Sequence, residues 1–219
     1  MADKLADDLL RIHKIITRAL SVARERGSAF ARTDFPNPRI REGYVSYARA
    51  LLATLHAHHG AEDELAFPRF RERIPQAPYD RLDSDHRDLL PALSAADEAV
   101  ESALTGHPAS VWLGRLLGSL DRIDQLWHAH IAVEEEHFSG EALDAAMSEE
   151  EQGELGKALS AHAQKHAGPD YLVVPFLLHN LEPVDRAVMA AKLPPVVTEQ
   201  LVPHAWKEKW APMEAFLLS

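Results

Sequence analysis

His56-Ala57-His58-His59-Gly60-Ala61-Glu62-Asp63-Glu64 aligns without a gap on His128-Ala129-His130-Ile131-Ala132-Val133-Glu134-Glu135-Glu136. The offset from His58 to His130 is 72 residues. His, Ala, His, Glu and Glu recur in place, and Asp63 stands opposite Glu135. Upstream, Leu9-x-x-x-His13 recurs as Leu82-x-x-x-His86, 73 residues on. His13 precedes His58 by 45 residues and His86 precedes His130 by 44. Each half therefore reads as a helix with one histidine, then a helix with His-x-x-x-Glu. Two such halves can build a bundle with approximate two-fold symmetry.

The spacing carries chemistry. Residues four apart on a helix are turned by about 400°, so they project from nearly one direction. His58 and Glu62 continue the apolar stripe of Leu51 and Leu55; His130 and Glu134 continue that of Leu116, Ile123 and Leu126. A carboxylate on a core face is costly unless it is paired or ligates a metal. Two facing carboxylates would repel, and cations bridged by both would remove the conflict. Imidazoles from four helices would complete the ligand shells.

The apolar spacing is helical almost throughout, and period-two strand runs are missing. A first helix is expected over residues 3–26, with Leu9, His13, Ile16 and Leu20 on one face and Gly27 as its end. Asn37-Pro38 reads as an N-cap and first turn of a second helix, running to about Phe67, where Pro68 weakens continuation. A third helix covers about residues 79–103, with Pro91 inside it. A fourth spans about residues 110–138, ending near Ser139-Gly140. Ser148-x-x-Glu151 reads as a capping box for a fifth helix, which Gly168-Pro169 breaks. Shorter helices follow over about residues 170–180 and 185–192 and from Pro194-Pro195. The expectation is an all-α chain. Residues 1–140 form an antiparallel up-down-up-down four-helix bundle, and residues 141–219 form a C-terminal helical extension packed on it.

Composition narrows the function. The chain has 219 residues and no cysteine, which excludes disulfides, iron–sulfur clusters, cysteine zinc sites and a thiol nucleophile. Lys and Arg number 23 against 34 Asp and Glu, a net charge of −11. That balance argues against nucleic acid and against an anionic membrane surface as partners. The first ten residues hold three Asp and no apolar core, and no apolar run reaches membrane-spanning length. A soluble cytoplasmic protein is the expectation. Thirteen His against 10 Gly is the anomaly, and their spacing points to metal.

The series His13, His58-x-x-x-Glu62, His86, His130-x-x-x-Glu134 resembles the cation-binding domain of the hemerythrin family. Glu62-Asp63-Glu64-Leu65-Ala66-Phe67-Pro68 also resembles that family's acidic, then Phe-Pro, ending of its second helix. The resemblance covers about residues 3–138. It implies a bundle around a non-heme centre of two iron ions (Fe2+/Fe3+), bridged by carboxylates or by oxo or hydroxo groups. Glu62 and Glu134 would bridge, and His13, His58, His86 and His130 would be terminal ligands. The oxygen-carrying members have a further histidine one turn after the third-helix His, where this chain has Leu90. They also use an Asp where Glu135 stands, so the pattern is closer to the family's iron-sensing and bacterial variants.

A substitute for the missing histidine is expected from His137, about 20° off the direction of His130, or from His59, about 100° round from His58. Tyr44 and Tyr47 share the inward stripe before His58 and are candidate pocket residues, simple core aromatics being the plainer reading. His56 and His128 are expected to be exposed. His162 and His166 form another i,i+4 pair, read as a solvated face. The apolar segment Tyr171–Leu178 is expected to cover a bundle face or to make a homodimer.

A small-ligand di-iron protein is the favoured reading. It would bind O2, NO or peroxide for oxygen binding or for handling reactive oxygen and nitrogen species, as an oxidoreductase if it turns them over. An iron or redox sensor acting through a partner protein, a di-iron oxygenase with an organic substrate, and a metal-free helical module are the alternatives.

Overall fold

The computed structural model describes residues 4–219, and the expected helix start at Asp3 lies outside them. The described residues are helical with no strand. Four long helices form the bundle: α1 (Leu5–Thr33), α2 (Pro38–Ala61), α4 (Tyr79–Leu104) and α5 (Ala109–His137), with α3 (Phe67–Arg73) between α2 and α4. α1 packs on α2 and α5, and α4 packs on the same two, so the helices stand around a square.

Local chemistry sets most of the boundaries. The Asn37 side chain accepts from the Ile40 amide at 3.0 Å, and Pro38 opens α2. Two stop signals are overridden. α1 continues through Gly27 to Thr33 because Gly27 serves packing rather than termination. A Cβ there would lie 2.2 Å from the Tyr44 hydroxyl, which donates to the Ala23 carbonyl at 2.8 Å. The helix ends instead at Asp34, where the backbone turns to a positive φ of 62° and the Asp34 amide donates to the Phe30 carbonyl. Nor does Pro68 end the second helix. The chain widens without a break into a π-helical segment, Glu62–Ala66, and the widened turn accommodates Pro68 at the start of α3.

After α5, Ser139 caps a short α6 (Gly140–Ala146). Ser148 and Glu151 form the expected capping box of α7 (Glu149–His166). Next come α8 (Asp170–His179), α9 (Pro183–Ala190), a π-helical segment (Val197–Ala205), α10 (Lys207–Trp210) and a 3-10 turn (Ala211–Phe216). In Tyr171–Leu178, the side chains of Leu172, Val173, Phe176 and Leu178 are buried in the chain's own core, so the segment covers a bundle face. The tail is also tied by polar bonds. Tyr47 donates to Asn180 Oδ1 at 2.7 Å, and Arg18 donates to the same oxygen and to the Phe216 carbonyl. The Pro212 carbonyl lies over Gly43, where a Cβ would stand 1.9 Å away.

Two apolar cores result. The larger is built by the bundle and the tail, around Leu51, Leu93, Trp112, Phe176 and Met213. The smaller closes the other end with Leu5, Phe67, Phe70, Leu82, Phe138 and Leu143. His13, His58, His86 and His130 form a polar layer between them in chain order. No helix among the described residues is long and apolar enough to cross a membrane.

Candidate metal centre

Two groups of ligand-type side chains meet in that layer. One is His13, His58, Glu62 and Glu134; the other is His59, Glu62, His86 and His130. Within each group the ligand atoms lie within 4.8 Å of one another. Glu62 belongs to both, with Oε1 3.2 Å from His58 Nε2 and Oε2 3.5 Å from His86 Nε2. Glu134 mirrors it, with Oε2 3.2 Å from His13 Nε2 and Oε1 3.4 Å from His130 Nε2. Each carboxylate thus reaches one imidazole in each group.

The donor atoms are poorly satisfied by the protein alone. The Nε2 atoms of His13, His58 and His59, Glu62 Oε2 and both Glu134 oxygens are buried without a hydrogen-bond partner. His86 Nε2 and His130 Nε2 stand 3.1 Å apart. Buried polar atoms left unpaired are costly, and cations in the two groups would satisfy them together. An all-nitrogen and oxygen set suits iron, manganese or zinc and lacks the sulfur that softer metals prefer.

His59 enters the cluster by the geometry of a square bundle. α2 has α1 on one side and α4 on the other, roughly a right angle apart. Successive residues, about 100° apart, can address one neighbour each. The His58 ring lies 5.4 Å from that of His13 on α1, and the His59 ring 4.5 Å from that of His86 on α4. On α5 the equivalent place holds Ile131, so one group has three imidazoles and the other two.

His137 belongs to neither group. It shares the direction of His130 but lies seven residues on, about 10 Å further along the axis, at the half-buried end of α5. Tyr44 and Tyr47 are likewise displaced along α2, by about 16–21 Å from His58. Both are fully buried in the larger core, packed on Phe216, and burial pushes both phenols up. The wall on the cluster's inner side is instead Trp127, whose ring lies 5.6 Å from both His13 and His58 and whose Nε1 donates to Thr17. Its place one turn before Ile131 on an apolar stripe carried no sign of that role. His56 and His128 are exposed, as expected.

The electrostatics follow from burial and crowding. Burial, then the charge of Glu134, push the Glu62 carboxyl up to about 7. Burial acts on Glu134 too, but the nearness of His13 and His130 outweighs it and holds this carboxyl well below its usual range. Burial disfavours charge on His13 and His86. Their carboxylate neighbours prevail and lift them to about 9 and about 10. His58 and His59, buried beside other imidazoles, stay well below the usual histidine value.

A cavity of about 110 Å³ opens on the cluster. His13, Glu62, Glu134 and Glu135 face it, Leu9, Leu10, Phe67, Phe70 and Phe138 wall it, and Ser139 and Gly140 stand at the α5–α6 turn. Its histidine comes from the two-imidazole group. The lining contains neither Lys nor Arg.

No curated protein and no solved structure matches the chain. Residues 4–142 match the model of the hemerythrin HHE cation-binding domain, a span that contains both ligand groups and the walls of the cavity. With its helical bundle and its buried His/Glu cation site, the chain belongs to the hemerythrin HHE cation-binding family.

Proposed function

We propose that the chain is a non-heme di-iron protein that binds a small ligand, O2, NO or peroxide, for oxygen binding or for handling reactive oxygen and nitrogen species. The observation that carries this is the unequal sharing of imidazoles, combined with a cavity that opens on the poorer group. His13, His58, Glu62 and Glu134 would hold one iron, and His59, Glu62, His86 and His130 the other, with the two glutamates bridging. When bound, the iron pair supplies redox electrons and an open coordination position for an exogenous ligand.

The protein's own contribution is placement and exclusion. Phe67, Phe70 and Phe138 keep the approach apolar, which favours small uncharged ligands and limits bulk water. Glu135 holds His13 through Nδ1. A volume of about 110 Å³ suits a diatomic or peroxide and is small for an organic substrate, whose pockets run to about 300 Å³ or more.

Metal analysis, with visible spectra of the reduced chain mixed in stopped flow with O2, NO and peroxide, tests the proposal. One iron per ligand group and a ligand-dependent band are expected. No iron uptake from anaerobic Fe(II), or a loaded chain inert to all three ligands, overturns it.

A further inference from the structure

The outer edges of the histidine rings carry a feature independent of the inner ligands. His13 Nδ1 lies 3.0 Å from Glu135 Oε1, and His86 Nδ1 lies 2.7 Å from Asp63 Oδ1. Asp63 and Glu135 occupy the same place in the internal repeat, each directly after a shared inner glutamate. The contacts are therefore related by the bundle's approximate symmetry. They also cross between helices: Asp63 reaches from the π-helical segment to α4, and Glu135 from α5 to α1.

Burial separates the inner and outer carboxylates. The side chains of Asp63 and Glu135 are 52% and 41% exposed, against 5% and 4% for Glu62 and Glu134. The outer pair therefore remains in contact with water, whereas the inner pair is shut away from it. An imidazole that donates Nδ1–H to a carboxylate presents its Nε2 lone pair on the opposite side. For His13 and His86 that side is the interior of a ligand group. Their ring faces are packed as well, His13 edge-on with Trp127 at 5.6 Å and His86 stacked on Phe67 at 5.3 Å. A similar approach of Asp85 to His130 Nδ1 spans 3.7 Å, too long for a hydrogen bond.

We infer that Asp63 and Glu135 are positioning residues, each serving one metal position: Glu135 sets His13 in the two-imidazole group, and Asp63 sets His86 in the three-imidazole group. Neither touches the cation. Each fixes the tautomer and rotation of the imidazole that does, and strengthens it as a donor. The inference rests on the metal-centre reading above and adds that the two positions are tuned separately.

The test is anaerobic titration of the full chain with Fe(II), and in parallel with Co(II), for the wild type and for Asp63→Ala, Glu135→Ala and the double variant. Each single variant weakens one of the two equivalents by about 10–100-fold and leaves the other unchanged, and the double variant weakens both. Asp63→Asn and Glu135→Gln, which keep an acceptor oxygen for Nδ1–H, recover part of the loss. Because both contacts also exist without metal, some loss of melting temperature in the chelated chain is expected; the readout that a merely structural role would not move is the loss of one equivalent while the other stays unchanged. Unchanged affinities in both alanine variants overturn the inference while leaving the metal centre standing. Equal weakening of both equivalents with a lower melting temperature of the chelated chain overturns it too, as a general structural effect. A wild-type chain that takes up neither metal removes the metal centre and the inference together.

Discussion

At position 59 and its repeat partner 131 the two halves of the chain part, one carrying histidine and the other isoleucine. Every other residue of the two groups has a counterpart, so this pair decides which group has the extra imidazole. His59→Ala is expected to lower metal affinity at one position by about 10–100-fold, whereas His137→Ala leaves both unchanged. Equilibrium dialysis of the two variants against Fe(II) checks this.

The same layer implies a pH dependence. A cation needs the lone pairs that protons occupy on His13 and His86, held up to about 9 and about 10, and on Glu62, held up to about 7. Raising the pH frees these donors, so apparent affinity rises between about pH 6.5 and 8.5, by up to about tenfold per unit for each proton displaced. Competition with a chromophoric chelator measures it, and a flat or falling profile counts against the ligand set. The six principal ligand candidates were legible because a costly residue type recurs on an apolar stripe. His137, Tyr44 and Tyr47 were drawn in because angle alone was weighed. The rise along the axis carries them out of the layer. His59 lay off the stripe, and its role depends on where the neighbouring helices stand.

Among the elements, the legible features were those whose reasons are local. Asn37-Pro38 and the Ser148–Glu151 box satisfy backbone groups within a few residues, and both stand where the sequence placed them. Gly27 and Pro68 misled because their reasons are not local. Gly27 leaves room for the Tyr44 hydroxyl from another helix, and Pro68 is accommodated by a widened turn that begins at Glu62. Gly27→Ala is therefore expected to destabilise despite its better helix propensity, by about 1–3 kcal/mol, because the new methyl displaces the Tyr44 ring. Denaturant unfolding of the variant checks the sign, and a stabilised chain would show that Gly27 has no packing role. The widened turn also has a positional effect. It lies where Glu62 and Asp63 must serve different partners, one inside the layer and one at its rim.

At the scale of the whole molecule, the polar layer is a weak plane between two apolar cores. Facing carboxylates and partnerless imidazoles are tolerated there because both flanking cores are well packed. A bound cation stabilises the folded chain by mass action, by about 4 kcal/mol at a thousand times its dissociation constant. The melting temperature of the chelated chain should rise on adding Fe(II) anaerobically, with little change in helical circular dichroism. A melting temperature indifferent to metal would count against a cation in the layer. The bundle was visible from the repeat, and the tail's helices and packing from its apolar run Tyr171–Leu178; the way the tail is seated was not, because it depends on Gly43 beneath Pro212 and on Arg18 reaching Asn180 and Phe216.

The cavity's walls have a last consequence, one of rate. A cation in water carries a tightly held hydration shell, and the cavity's apolar walls, Leu9, Leu10, Phe67, Phe70 and Phe138, offer nothing to replace it before His13 and the three glutamates at the cluster are reached. Small uncharged molecules cross such a passage easily. Entry of a metal ion is expected to need the α1–α6 corner to open, where Gly140 packs on Ala6. Residence time, rather than equilibrium, is then expected to govern metal exchange. Ions once seated should exchange with a radioisotope far more slowly than their affinities alone suggest, and loosening that corner by breaking the Lys4–Asp144 ion pair should shorten their stay.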